Sequence, residues 1–588
     1  MILQALTSLY EALAQKGEIS KEGWSREKIS FALSIDEEGN LLRVTPLFDT
    51  VDGPKGKTRE VPQKMMVPAA VKRTSGAAAN FLWDNSSYIL GVSLKKGEDD
   101  AEREKRRNKD IKCFEACREL HHSMLDGMEY PAAKAVLNFL DKWEPQKAEE
   151  NNLVAQYAKE ILSGANMVFR FNRGYVHDDP QLASVWQKAN AKQKDNIGQC
   201  LVTGALDEIQ KTHPTIKGVQ GAQSSGAALV SFNASAFCSY NKEQNQNAPV
   251  GKYAAFAYTT ALNHLLADRK NVHRIGDASV VCWAENADKQ YEDFAAEVFF
   301  GDNVDKSDEQ RLSALRTSLK LLADGLPCKE MDLDPDRKFY ILGLSPNAAR
   351  IAVRFFYCDS FGKIAGNIYR HHERLEIVRP SYDKFPILPL WKLLSATVNP
   401  NAKDKTPNAA MAGAVARAVF SGGRYPASLL ECTFLRIKAE RNITRERAAI
   451  IKAYYLRNPN EKCPKEVLTV SLNENSKNIP YTLGRLFSVY EEIQQAANPG
   501  INTTIKDRYF GSAAAMPATV FPILSNLAQK HLRKLSDAQR VYLDKKVMTL
   551  KSVLGEQYPA HMSLPEQGSF DLGYYHQTQA RYTKKEDK

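Results

Sequence analysis

The order of apolar and polar positions changes character about two thirds of the way along the chain. Ile2, Leu3, Leu6, Leu9, Tyr10 and Leu13 repeat at helical spacing, and Gly17 ends that helix. Residues 29–35 alternate as a strand, DEEGN at 36–40 supplies turn residues, and 41–47 returns, which predicts a hairpin. Residues 52–68 hold three prolines and two glycines and predict an exposed loop, followed by a strand over 86–93. The charged run 97–112 predicts the exposed start of a helix reaching about 125. Further strands are expected over 167–172, 226–237 and 278–284, with a helix over 251–267. Residues 339–346 and 349–358 read as a hairpin around Ser345-Pro346-Asn347, and 361–376 as the helix that follows.

After about residue 385 the strand pattern fades. Helical periodicity covers 386–396, 409–420, 427–440, 444–457, 481–497, 512–535, 536–556 and 566–582, with a clear stripe at 483, 486, 487, 490 and 493. The fold class expected is α+β: a mixed α/β amino-terminal region with hairpins over 1–385, and a carboxy-terminal all-α helical bundle over 386–588. Residues from about 467 onward form a self-contained helical piece. The length of 588 residues corresponds to about three to five domains.

Composition excludes several classes. With 43% hydrophobic and 25% charged residues, the chain is neither disordered nor collagen-like. No apolar stretch approaches the length of a membrane span, and residues 1–16 lack a basic region and a small-residue cleavage site, so the cytoplasm is the expected compartment. Nine scattered cysteines without a CxxC read as small buried hydrophobes; Cys113 and Cys117, near His121 and His122, lack zinc-ligand spacing. Charge adds more. Residues 401–588 hold 28 Lys/Arg against 17 Asp/Glu, whereas 1–400 hold 52 of each, so the whole net charge of +11 sits in the last third. That asymmetry points to a polyanion partner.

The chain carries none of the common catalytic signatures. There is no P-loop, no GxGxxG after a strand, no HExxH and no GxSxG. His177-Asp178 is an isolated pair that reads as a surface loop, and the adjacent pairs His121-His122 and His371-His372 point about 100° apart on a helix. No catalytic residue, metal or cofactor is assigned, and a binding protein is favoured over an enzyme. The alternative is a metal-dependent nucleic-acid-processing enzyme with scattered carboxylates.

Three segments suit nucleic acid. In 71–91, Lys72 and Arg73 can meet phosphates, Thr74 and Ser75 offer hydroxyls, and Asn80 and Asn85 can bond base edges. In 220–250, a polar stretch carries Asn233, Ser239, Tyr240 and Lys242, where Tyr240 can stack on a base. In 434–457, Arg436, Lys438, Arg441, Arg445, Arg447 and Lys452 lie at a density suited to a strand's phosphates. A polar turn is the competing reading of the first two, and bundle core that of the apolar positions in the third.

Segments 229–266, 339–356 and the terminal FDLGYYHQTQAR (570–581), with the VPxxxxR pattern from Val67 to Arg73, resemble the Csd-type large subunit of the type I-C CRISPR Cascade complex, in the expected order from residue 1 to about 582. The resemblance implies a non-catalytic, antiviral subunit at the crRNA 5′ end. It implies recognition of the protospacer-adjacent motif (PAM) in double-stranded target DNA, promotion of the R-loop, and contact between the carboxy-terminal helices and the displaced strand. Guide pairing then supplies the target sequence. Implied partners are crRNA, the Cas backbone and 5′-handle-binding subunits, a small helical subunit and a helicase-nuclease recruited in trans, with no membrane. The small subunit is expected to start inside this gene, at Val467, Val470 or Met411. Placing Lys72, Arg73, Thr74, Ser75, Asn80, Asn233, Ser239, Tyr240 and Lys242 at the PAM follows from their chemistry within the matching segments.

Overall fold

A computed structural model describes residues 1–52, 58–71, 73, 76–95, 97–190, 196–232, 234–301 and 309–582. The chain folds into two compact units rather than three to five. One comprises Leu13–Thr212 and Ala234–Thr260; the other comprises Met1–Ala12, His213–Asn233 and Ala261–Lys588. The fold is α+β.

In the first unit the expected hairpin forms from Phe31–Ile35 and Leu41–Pro46. Phe31–Ile35 also pairs in parallel with Asn166–Phe171, which pairs with Trp83–Asn85, so this mixed sheet is held by strands far apart in sequence. A second sheet joins Trp24–Ile29, Thr58–Pro68 and Phe48–Asp52. Thr58–Pro68 overturns the expected loop. Its prolines fit because Pro62 sits at a register position beside Phe48 and Pro68 ends the strand, where the missing N–H costs little. The charged helix Asp100–Leu125 starts where expected, at a capping box between Asp99 and Glu102. It packs its few apolar positions, Cys113, Phe114, Cys117 and Leu125, into the core with the helix Pro131–Lys142.

The expected strand over 86–93 is absent. Asn85 caps a helical turn, Ser86–Ile89, by accepting from Ser87 N at 3.1 Å. Among the described residues of 226–237 the expected strand is also absent. Ala227 and Ala228 make single bridges, and Ser235–Phe237 is a 3-10 turn, because small residues give a strand little to pack.

In the second unit, His273–Ile275, Ala278–Ala284, Lys338–Asn347 and Arg350–Ser360 form an antiparallel sheet in that order. Helix Phe361–Leu375 follows, its N-cap Ser360 accepting from Lys363 N. The expected boundary at residue 385 is not a boundary in the core. One apolar cluster runs from Ile275 and Phe339 in the sheet through Ile364 and Leu393 to Phe487 and Tyr575 in the last helices. The expected helix over 512–535 is two helices, Ile505–Ala515 and Pro517–Leu532, since Pro517 cannot continue the first and starts the second.

Helices Ile479–Ala497 and Leu564–Ala580 cross at Gly484 and Gly573. A Cβ on Gly484 would overlap the Phe570 carbonyl oxygen and stand 2.8 Å from Tyr574 N; one on Gly573 would overlap the Tyr481 carbonyl oxygen. Only glycine lets two backbones touch in this way. Around the crossing, Phe510 packs on Phe570 and Tyr574 with ring centroids 5.6 and 5.2 Å apart. Residues 567–577 are all buried, so the terminal motif is core up to Gln577.

Gly484→Ala should destabilise the chain by about 3 kcal/mol or abolish its accumulation, the upper end of overpacking. Gly511→Ala, at an exposed helical glycine with open space around it, should raise stability by about 0.5–1 kcal/mol. Denaturant titration of the two variants checks the contrast; equal effects would contradict the crossing.

Candidate nucleic-acid interface

The segment 71–85 is built around a buried carboxylate. The Asp84 side chain is 2% exposed and forms an ion pair with Arg73. It also accepts from Asn80 N at 2.9 Å and from Asn85 N at 2.8 Å. Burial nevertheless dominates and holds the Asp84 carboxyl above its usual range. Arg73 in addition lies over the Tyr88 ring at 4.0 Å and donates from Nε to Ala78 O at 2.8 Å. The Asn80 amide oxygen accepts from Val71 N at 2.9 Å, and the side chain is buried.

These contacts correct one expectation. Asn80 is buried and holds the loop rather than presenting itself to DNA, because the turn needs its backbone satisfied, whereas Arg73 pairs with the buried Asp84 and still keeps 30% of its side chain exposed. Lys72, Thr74, Ser75 and Asn233 lie outside the described residues.

The loop is tied to the core through His121, which is buried. Leu82 N donates to His121 Nε2 at 2.9 Å, and Nδ1 faces Cys117 O at 2.7 Å. These partners fix the neutral tautomer: Nε2 accepts and Nδ1 donates. Burial pushes the ring down to about 4. Leu82 adopts φ +64°, a conformation rare outside glycine, and the His121 bond helps hold it there. Cys117 and His121 are packing partners rather than metal ligands. Among the described residues no group of three or more His, Cys, Asp or Glu could hold a metal ion.

The loop at 239–247 is different in kind. Ser239, Tyr240 and Lys242 are exposed, and Tyr240 is 95% exposed. Tyr240, Asn241 and Gln244 have φ of +52°, +56° and +47°. Asn247 staples the loop: its amide oxygen accepts from Ser239 N at 2.8 Å and its nitrogen donates to Lys242 O and Gln244 O, both at 3.0 Å. Buried Asn245 anchors the base by donating to Val250 O at 3.3 Å. The result is an ordered tip that displays one aromatic ring.

The basic helices divide sharply. Lys438 and Arg441 are exposed. Arg436 is half-buried beside Glu440 at 3.6 Å. Arg445, Arg447 and Lys452 are buried, and the expectation that they meet a displaced strand is corrected. Arg445 binds Asp383 at 3.0 Å and Pro386 O at 3.1 Å. Arg447 binds Glu440 at 2.6 Å and Asn442 O at 2.9 Å. Lys452 donates to Arg374 O at 3.1 Å, and burial lowers its ammonium to about 8. These heads stitch helices and turns together, and a count of basic residues along a segment does not register that. The isolated His177 is likewise buried rather than part of a surface loop.

His121 makes stability depend on acid. The unfolded ring takes its proton near 6.5 and the folded ring near 4, so the unfolded chain binds more protons between these values. Stability should therefore fall as pH drops from 6.5 to 4, by about 3 kcal/mol from this group. Gln at 121 can keep both backbone bonds without titrating. Urea titrations at pH 7 and pH 4 should show a smaller loss for His121→Gln than for the parent; equal losses would contradict the assignment.

Two comparisons bear on identity. A search among curated proteins finds no match. The family model described as CRISPR-associated protein (Cas_Csd1) matches residues 6–582, nearly the whole chain and both compact units. The chain therefore belongs to the Cas_Csd1 family of CRISPR-associated proteins.

Proposed function

We propose that this chain is the non-catalytic large subunit of an RNA-guided, type I-C Cascade complex, and that it engages the PAM in the target duplex through the 239–247 loop. Membership of a CRISPR-associated family supports the setting. The observation that carries the site is Tyr240, a fully displayed ring on a loop whose backbone is stapled by Asn247. A rigid aromatic tip loses little entropy on binding and can wedge beside a base step, while Ser239 and Lys242 meet the adjoining backbone. The 71–85 segment, in which Arg73 pairs with Asp84, contacts the same duplex. Guide pairing then extends the opening that the protein starts.

The remaining roles follow from the same reading. Lys438 and Arg441, with the partly screened Arg436, contact the displaced strand. A helicase-nuclease recruited in trans does the cutting, and crRNA with the Cas backbone subunits holds the chain in place.

Tyr240→Ala should weaken binding of the assembled complex to PAM-bearing duplex about tenfold or more, in the range of one lost aromatic–base contact. Tyr240→Phe should bind as the parent does. A 2-aminopurine at the first guide-paired position should brighten on binding the parent and stay dim with Tyr240→Ala. Unchanged affinity and fluorescence in Tyr240→Ala would contradict the proposal.

A further inference from the structure

The larger unit contains a basic cleft that shares only Gln220 with the three nucleic-acid segments above. It has a volume of about 670 Å³, within the range of ligand clefts. Lys217, Arg269 and Arg274 line it with Gln220, Asn263 and Ser279, and no Asp or Glu lines it. All three cationic side chains are exposed. Among the described residues none of them forms an ion pair; Arg274 makes one bond, from Nε to Gly276 O at 3.1 Å.

The acids close by in sequence are occupied elsewhere. Asp268 accepts from Lys270 N at 3.2 Å and Asn271 Nδ2 at 3.1 Å within its own turn. Asp277 pairs with Arg354 at 2.7 Å. The charge of Arg274 reaches Asp404, whose carboxyl is held below its usual range first by hydrogen bonding to Thr406.

The walls are rigid. Asn263 accepts from Lys217 N at 2.7 Å and donates to Thr215 O at 3.1 Å, which fixes the loop bearing Lys217 against a helix. Gly218, at φ +92°, allows that approach: a Cβ there would stand 3.2 Å from Leu266. Gln220 N donates to Ser279 Oγ at 3.1 Å, which ties the loop to the sheet. Arg274 projects from the short edge strand His273–Ile275. Neighbouring His273 is stacked on Phe300 at 3.8 Å and buried, so it offers no platform for a base.

We propose that this cleft binds the phosphodiester backbone of a single-stranded nucleic acid, seating about one or two nucleotides. Three unpaired cations on fixed walls, with no acid among them, select for phosphate charge. The lack of an exposed aromatic makes the contact indifferent to sequence. The concave shape takes a strand rather than the flank of a duplex. The inference rests on the nucleic-acid reading of the chain, but concerns residues apart from the PAM loop.

The test uses purified full-length chain and a fluorescein-labelled 12-nucleotide oligo(T) or oligo(U), followed by anisotropy across a salt series. Lys217→Ala/Arg269→Ala/Arg274→Ala should bind at least tenfold more weakly. Its slope of log affinity against log salt should be shallower by about 2, since each phosphate contact on a single strand contributes about 0.7. A thermal melt matching the parent certifies the fold. Independently of the variant, 4-thiothymidine or 4-thiouridine in the probe should crosslink to peptides containing 217–220 or 269–279 in the parent. Tighter binding of oligo(U) assigns the cleft to guide RNA, and tighter binding of oligo(T) to displaced DNA. Unchanged affinity and salt slope in the triple variant, with crosslinks elsewhere, would overturn the cleft alone. A parent that binds neither strand nor PAM duplex would overturn the broader reading as well.

Discussion

The contact of backbone on backbone at Gly484 and Gly573 constrains everything around it in the larger unit. With no side chain between the helices, the flanking positions must fill the space beside the crossing, and Phe487, Phe510, Phe570 and Tyr574 do so. The burial that results encloses polar groups that need partners. Tyr574 donates to Glu491 at 2.6 Å, and Glu491 also accepts from Thr504 at 2.7 Å. Tyr481 and His576 meet at 2.9 Å, and Tyr575 donates to Val378 O at 2.8 Å. The most recognisable stretch of the chain, at 570–581, is therefore a packing motif. Its relation to function is indirect: it fixes the scaffold.

Charge works inside this protein as much as outside. Arg73 with Asp84, Arg445 with Asp383 and Arg447 with Glu440 each join segments through a guanidinium that also reaches backbone carbonyls or an aromatic face. The planar fork of arginine suits several acceptors at once, which lysine cannot match. The basic excess of the last third is thus partly structural. The cations left for a polyanion include Lys438 and Arg441, and the set in the cleft around Lys217.

Elements whose pattern was local were legible in the sequence. The hairpins at 31–46 and 338–360 and the helix from Asp100 carry their own alternation, turns or caps. Elements that depend on distant partners were not. Thr58–Pro68 is a strand because Trp24–Ile29 and Phe48–Asp52 pair with it, and Ser86–Ile89 turns helical at the Asn85 cap. At the site, exposure decided the outcome. Tyr240 reads as a ring in a polar stretch and is exposed, whereas Arg445 and Lys438 look alike in sequence but the first is buried and the second exposed. The cleft was missed although ADRKNVHRI, at 267–275, signals it by basic density, because Lys217 reaches it from 50 residues upstream.

The most direct test of the central claim is photocrosslinking of the assembled complex on target DNA that carries 5-iodouracil beside the guide-paired segment. The account predicts that the main crosslinked peptide from this chain contains Tyr240, and that the crosslink disappears in Tyr240→Ala. Crosslinks confined to other subunits, or to peptides far from the 239–247 and 71–85 loops, would contradict it.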